Sequence, residues 1–154
     1  MQELPIHPAL VHVPLGLAVV LPLLALGLAI PLWRETLPKR VWLVVLLLSA
    51  LCLGSAMAAR QTGETEEERV EEWVSRREIH KHEEAADLFV RALAITTLAC
   101  AAVFLIKKPK PFKISLLVLG LAYVGVLALA LNVGQLGGEL VFRHNAGAAR
   151  APSP

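Results

Sequence analysis

Apolar residues do not alternate along this chain but come in four blocks nearly free of charge: Leu4–Trp33, Val41–Ala59, Ala92–Ile106 and Ile114–Gly138. A helix needs about 20 apolar residues to cross about 30 Å of hydrocarbon. The first, second and fourth blocks meet this unaided. The third reaches it through Leu88-Phe89-Val90, with Arg91 either snorkelling to the interface or facing protein. In lipid every backbone polar group must bond internally, so four such runs predict helices and not a barrel. The expected fold is all-α: an integral membrane four-helix bundle of two hairpins. Its spans are about 9–32, 41–60, 84–106 and 113–138, with a polar, partly helical bridge over 61–87 and a flexible tail over 146–154.

Breakers and small residues refine this outline. Pro8 suits a first helical position, whereas Pro14 and Pro22 fall inside the first span and predict a kink or a broken first turn. Pro31 and Pro38 punctuate one short turn, Pro109 and Pro111 the other. Ala50, Gly54 and Ala58 recur at spacing four, a seam that lets a neighbouring helix approach. Over Thr65–Val74, the stripe Val70, Trp73, Val74 predicts an interfacial helix across the bundle end, with Trp73 at headgroup level. The third helix is then expected from about Ile79. Each hairpin starts with two histidines and ends in QTGE (61–64) or QLGGE (135–139). If this is a duplication, the first and third helices face each other across the bundle.

At 154 residues the chain is one domain. Hydrophobic residues make up 56% and charged residues 18%, and the net charge of +2 matters less than its distribution. The two short turns hold seven Lys/Arg and one acid, while 60–87 holds five basic and ten acidic residues. Basic short loops stay cytoplasmic. Both termini and the 61–87 bridge are therefore expected outside, on the periplasmic side of a bacterial inner membrane. The first block lacks a basic leader region and a cleavage site, so it reads as a retained helix and not a signal peptide. Cys52 and Cys100 fall within spans and read as buried free thiols. The acidic bridge argues against nucleic acid, and no nucleophile elbow, phosphate loop or HExxH motif suggests a hydrolase or transferase.

An even number of spans brings His7, His12, His80, His82 and His144 to one side of the membrane. Histidine ligates transition metals and haem iron, and bundles build such sites from inward-facing side chains. Interfacial packing of amphipathic rings is the simpler alternative for any one of them. If the helix includes the bridge histidines, His80, Glu84, Asp87 and Arg91 share one face. That face is either a carboxylate–histidine metal face or a solvated one with an Asp87–Arg91 pair. An arginine at that depth is expected to face the bundle. His82, Ala86, Phe89 and Leu93 form an apolar stripe opposite, where His82 suits haem or simple packing. Asn132, Gln135 and Glu139 share a face of the last helix and are expected to point inward. The outer half of the bundle would then be polar inside and the other half apolar.

HPALVHVP at the start, TGETEEERVEEW and IHKHEEAA in the bridge, and GGELVFRHNAG at the end resemble the bacterial membrane-protein family catalogued as domain of unknown function 2231. The matching residues are His7, Pro8, His12, Pro14, His82, Gly137, Gly138, Leu140, Val141 and His144. Phe142 stands for the family's usual Tyr and Asn145 for its usual Gly. The resemblance spans nearly the whole chain and implies four membrane helices. Some relatives are joined to iron–sulfur or cytochrome domains, which by analogy implies electron transfer.

The leading expectation is a redox-cofactor membrane protein with b-type haem near the outer leaflet. His12 and His82 or His144 would be axial ligands, with Arg91 or Arg143 near the propionates. A second is a transition-metal site for zinc, copper or iron built from His7, His80, His82 and Glu84. A third is a cofactor-free scaffold whose acidic bridge docks a partner. The bilayer, a redox protein and a second copy of the chain are the partners these expectations imply.

Overall fold

The computed structural model describes residues 6–70 and 74–143. His144, Trp73 and the tail over 146–154 lie outside the described residues, so the expectations placed on them find no counterpart below. A short α1 (Ile6–Leu10) leads into α2 (His12–Trp33), followed by α3 (Leu43–Val70), α4 (Arg76–Ala102) and α5 (Pro109–Phe142). Helices α2 to α5 are each long and apolar enough to cross a membrane. They form the expected four-helix bundle: α2 packs on α3 and α5, and α4 packs on the same two. Thus α2 and α4 stand diagonally, the arrangement expected of two related hairpins.

The buried positions repeat between the hairpins at constant spacing. Ala18, Leu21, Pro22 and Ala25 of α2 correspond to Leu93, Thr96, Thr97 and Cys100 of α4, and all are buried. Val45, Ser49, Cys52 and Ala56 of α3 correspond to Leu119, Tyr123, Val126 and Ala130 of α5, again all buried. Large side chains such as Leu23, Leu98 and Leu121 are exposed, as lipid-facing positions require. Two hairpins with matching inward faces make a pseudo-twofold bundle.

Several sequence expectations change at this level. The break in the first helix falls at Val11, because Pro14 has no N–H for the carbonyl of Leu10. The second helix does not stop at Arg60. It continues to Val70, helped by an Arg60–Glu64 pair at 3.1 Å, one turn apart. The fourth element begins at Arg76, so the described part of the bridge is the ends of two long helices and not a separate crossing helix. Ala50 and Gly54 are exposed, and a Cβ on Gly54 would meet nothing within 4 Å. Gly54 and Ala58 line an open groove between α3 and α4 and not a close helix contact. Close approach occurs instead at Gly120, where a Cβ would overlap the Leu26 side chain.

The interior away from the histidines is not apolar. Ser49 Oγ and Thr97 Oγ1 are 2.7 Å apart, and Thr97 also donates to the Leu93 carbonyl at 2.8 Å. Trp42 and Tyr123 are fully buried beside Cys100. Neither the Trp42 Nε1 nor the Tyr123 hydroxyl has an aligned hydrogen-bond partner among the described residues. Cys52 and Cys100 are buried free thiols, as expected.

Opposite the histidines, Lys39 joins the hairpins. Its Nζ donates to the Phe104 carbonyl at 3.0 Å and the Ile106 carbonyl at 2.8 Å, capping the end of the third span. It also lies 5.1 Å from the Phe112 ring centroid. Lys113 pairs with Glu35 at 2.9 Å. Glu35 has φ 59, the left-handed position that ends α2.

Candidate functional site

The histidine end is assembled twice from the same parts. On α1, the His7 Nδ1–H donates to the Ala59 carbonyl of α3 at 2.7 Å and lies 3.2 Å from Thr62 Oγ1. The ring rests on Gly63, where a Cβ would stand 3.1 Å from its Cε1. On α4, the Val133 carbonyl of α5 is within hydrogen-bonding reach of the His82 ring. That ring rests on Gly137, where a Cβ would stand 3.2 Å from its Cε1. In both hairpins the carbonyl belongs to the residue four before the glycine. A helix-interior Gly costs about 1 kcal/mol relative to Ala. Here the missing Cβ is what admits the ring.

The bond to Ala59 fixes the tautomer of His7. A carbonyl only accepts, so His7 carries its proton on Nδ1 and presents Nε2 as a lone pair. The His82 Nδ1 is buried and has no hydrogen bond among the described residues, with the Val133 carbonyl near the ring. The two imidazoles lie near enough to repel each other if protonated. A ring anchored by one nitrogen to a helix carbonyl, as His7 is, is the arrangement that orients a histidine ligand. Packing at this end is completed by Val74 and Ile79 against Leu140.

The other candidates fall elsewhere. His12 is exposed on α2, so the imidazole beside His82 is that of His7. His80 is 69% exposed and pairs with Glu83 at 3.5 Å and Glu84 at 3.3 Å along its own helix. This is the solvated-face alternative. The stripe His82, Phe89, Leu93 does turn inward, as its apolar neighbours require.

Arg91 does not face the bundle: its side chain is 75% exposed, with NH2 3.3 Å from Asp87. Its charge is met on the surface, where Arg60 Nε also reaches Asp87 at 2.6 Å. These three residues border an open groove of about 740 Å³ between α3 and α4, over the exposed Gly54. Arg143 is 74% exposed and pairs with Glu139 at 3.4 Å. Asn132 and Gln135 are exposed too, so the polar face of α5 points outward and not into the core.

Sequence reasoning passed over Gly63, Ala59, Thr62 and Val133. Their signal was present in the paired QTGE and QLGGE endings, since each ending supplies the glycine on which the other end of its own hairpin rests. Among the described residues no group of three or more His, Cys, Asp or Glu could hold a metal ion.

A family model described as "Predicted membrane protein (DUF2231)" matches residues 3–150. Neither the curated proteins nor the solved structures contain a match to the chain.

Proposed function

The chain belongs to this family of predicted membrane proteins, and from that premise we propose that it is a redox-cofactor membrane protein in which His7 and His82 are the paired ligands of a b-type haem iron. The observation that carries the reading is the buried, unpartnered Nδ1 of His82 beside a second imidazole of fixed tautomer. A bare zinc or copper site takes three or four protein ligands. A haem iron, with its equatorial positions filled, takes only two. The two imidazoles brought together here, His7 and His82, match that number.

The cofactor supplies one-electron exchange when bound. The chain's part is to hold both imidazoles neutral, aim their lone pairs and exclude lipid and water with Val74, Ile79 and Leu140. Arg143, one turn past Glu139, is the cation available at this end of α5 for a propionate. His144 is its sequence neighbour and the alternative second ligand. The seven basic residues of the two short turns support a cytoplasmic placement of the opposite end and a periplasmic one of the histidine end, across the inner membrane. Such a placement suits exchange with a redox protein outside.

The test is an absorbance spectrum of the detergent-purified chain, oxidised and after dithionite. Sharp reduced bands that disappear in both His7→Ala and His82→Ala support the pair. Bands that survive His7→Ala but not His144→Ala move the second ligand to His144. A colourless protein that takes up no haem on reconstitution overturns the reading. Cysteine labelling at Thr65 and Lys108 in intact cells tests the orientation, and labelling at Lys108 alone reverses it.

A further inference from the structure

At the end opposite the histidines, a cavity of about 380 Å³ opens between the end of α2, the end of the third span and the start of α5. Lys39, Lys107, Lys108 and Lys113 line it, against the single acid Glu35. Two of these lysines are committed. Lys39 donates to the Phe104 and Ile106 carbonyls, and Lys113 pairs with Glu35. Lys107 and Lys108 are exposed at the rim, so the cavity keeps an excess of positive charge. The remaining wall is apolar, from Leu32, Leu37 and Ile106.

A topology signal requires only basic residues in a short loop, anywhere in it. Here they surround a concavity whose floor is hydrocarbon, at the depth where a spanning helix ends. Trp33, partly exposed at the end of α2, marks that depth as the interface. Leu105, next in sequence to the lining Ile106, is an exposed apolar side chain. A soluble anion would use the lysines but not the apolar wall. A molecule with an anionic head and hydrocarbon tails uses both. We propose that this cavity is a binding site for the headgroup of an anionic phospholipid, its phosphate held by Lys107 and Lys108 and its acyl chains lying over Leu37 and Leu105. Lys39, already tied to the third span, makes the site rigid and couples occupancy to the junction between the two hairpins.

The site is independent of the histidine end, and its test has its own readout. The full-length chain is placed in nanodiscs of phosphatidylcholine with increasing phosphatidylglycerol, and melting temperature and co-purified lipid are measured. The expected result is a saturable rise in melting temperature with phosphatidylglycerol and about one retained lipid per chain. Lys107→Gln/Lys108→Gln should weaken the lipid dependence on the order of thirtyfold, since each lysine near an anionic surface contributes roughly fivefold. Glu35→Gln, which removes the only lining acid, should strengthen it. Arg76→Gln/Arg77→Gln at the other end controls for general charge and should change nothing. An unchanged lipid dependence in the double lysine variant overturns the proposal. So does an equal stabilisation by glycerol phosphate without lipid, which would identify a free-anion site.

Discussion

His7 rests so closely on Gly63 that a Cβ there would lie 3.1 Å from its Cε1, tighter than ordinary contact. Gly137 receives His82 in the same way at 3.2 Å. Both glycines sit within helices, where alanine is ordinarily better by about 1 kcal/mol. The expected outcome of Gly63→Ala or Gly137→Ala is therefore a lower melting temperature despite the better helix former. The ring must shift by a few tenths of an ångström and strain its carbonyl bond. Gly54→Ala, where nothing lies within 4 Å, should raise stability by about 0.5–1 kcal/mol. Thermal melts of the three variants separate a ring cradle from ordinary helical glycine; three equal gains would remove the cradle.

The Tyr123 hydroxyl is fully buried, close to Cys100 and Ser49, without an aligned partner among the described residues. A buried hydroxyl without a bond costs free energy that phenylalanine does not. Tyr123→Phe should be neutral or stabilising by about 1 kcal/mol, read as a shift in melting temperature. Ser49→Ala should do the opposite by about 0.6 kcal/mol, since it removes a bond to Thr97 between two spans. A strongly destabilised Tyr123→Phe would mean that the hydroxyl is bonded in the membrane.

Number of spans, diagonal order and the inward stripe of His82 were legible because each rests on long-range periodicity, which tolerates local error. The failures share a cause. Arg91 was expected inside on the grounds that lipid excludes charge, but Asp87 pairs with it at the surface. Ala50 and Gly54 look the same in sequence whether they face a helix or lipid. Only the neighbouring row, Val45, Ser49, Cys52 and Ala56, decides, because it packs inward. The pairing of His7 with His82 was hidden because His7 and His12, five residues apart, lie about 140° apart around a helix, and it is His7 that turns to α3. The matched endings after each hairpin were the usable clue.

Lys113 holds the Glu35 carboxyl below its usual range by hydrogen bond and charge. Because the folded value lies below the ordinary 4.5, the pair contributes in full above that pH. Its contribution is lost as pH falls through the folded value. Melting temperature should therefore fall on acidification below pH 4.5 by more in the native chain than in Lys113→Gln. The effect should be small and reduced by salt, since Glu35 is exposed. Parallel melting curves against pH would show that the pair does not form.

Asp87 is the shared acceptor of Arg60 Nε at 2.6 Å and Arg91 at 3.3 Å, so it joins α3 to α4 near the histidine end. The shorter contact is the interhelical one, whereas Arg91 is a neighbour one turn along the same helix. Removing Arg91 leaves the Arg60–Asp87 link intact. Removing Asp87 leaves two guanidinium groups beside one groove, with Glu64 and the more distant Glu83 near Arg60 to offset them in part. Asp87→Ala should thus lower stability by about 1 kcal/mol, and Arg91→Ala by clearly less. Arg60→Ala in the Asp87→Ala background should add little, because the two substitutions remove one interaction. Melts of the two single variants and the double, at low and high salt, decide the matter. Additive losses for Arg60 and Asp87 would show that the interhelical bond contributes nothing, and an Arg91→Ala loss exceeding that of Asp87→Ala would return Arg91 to a role in the interior.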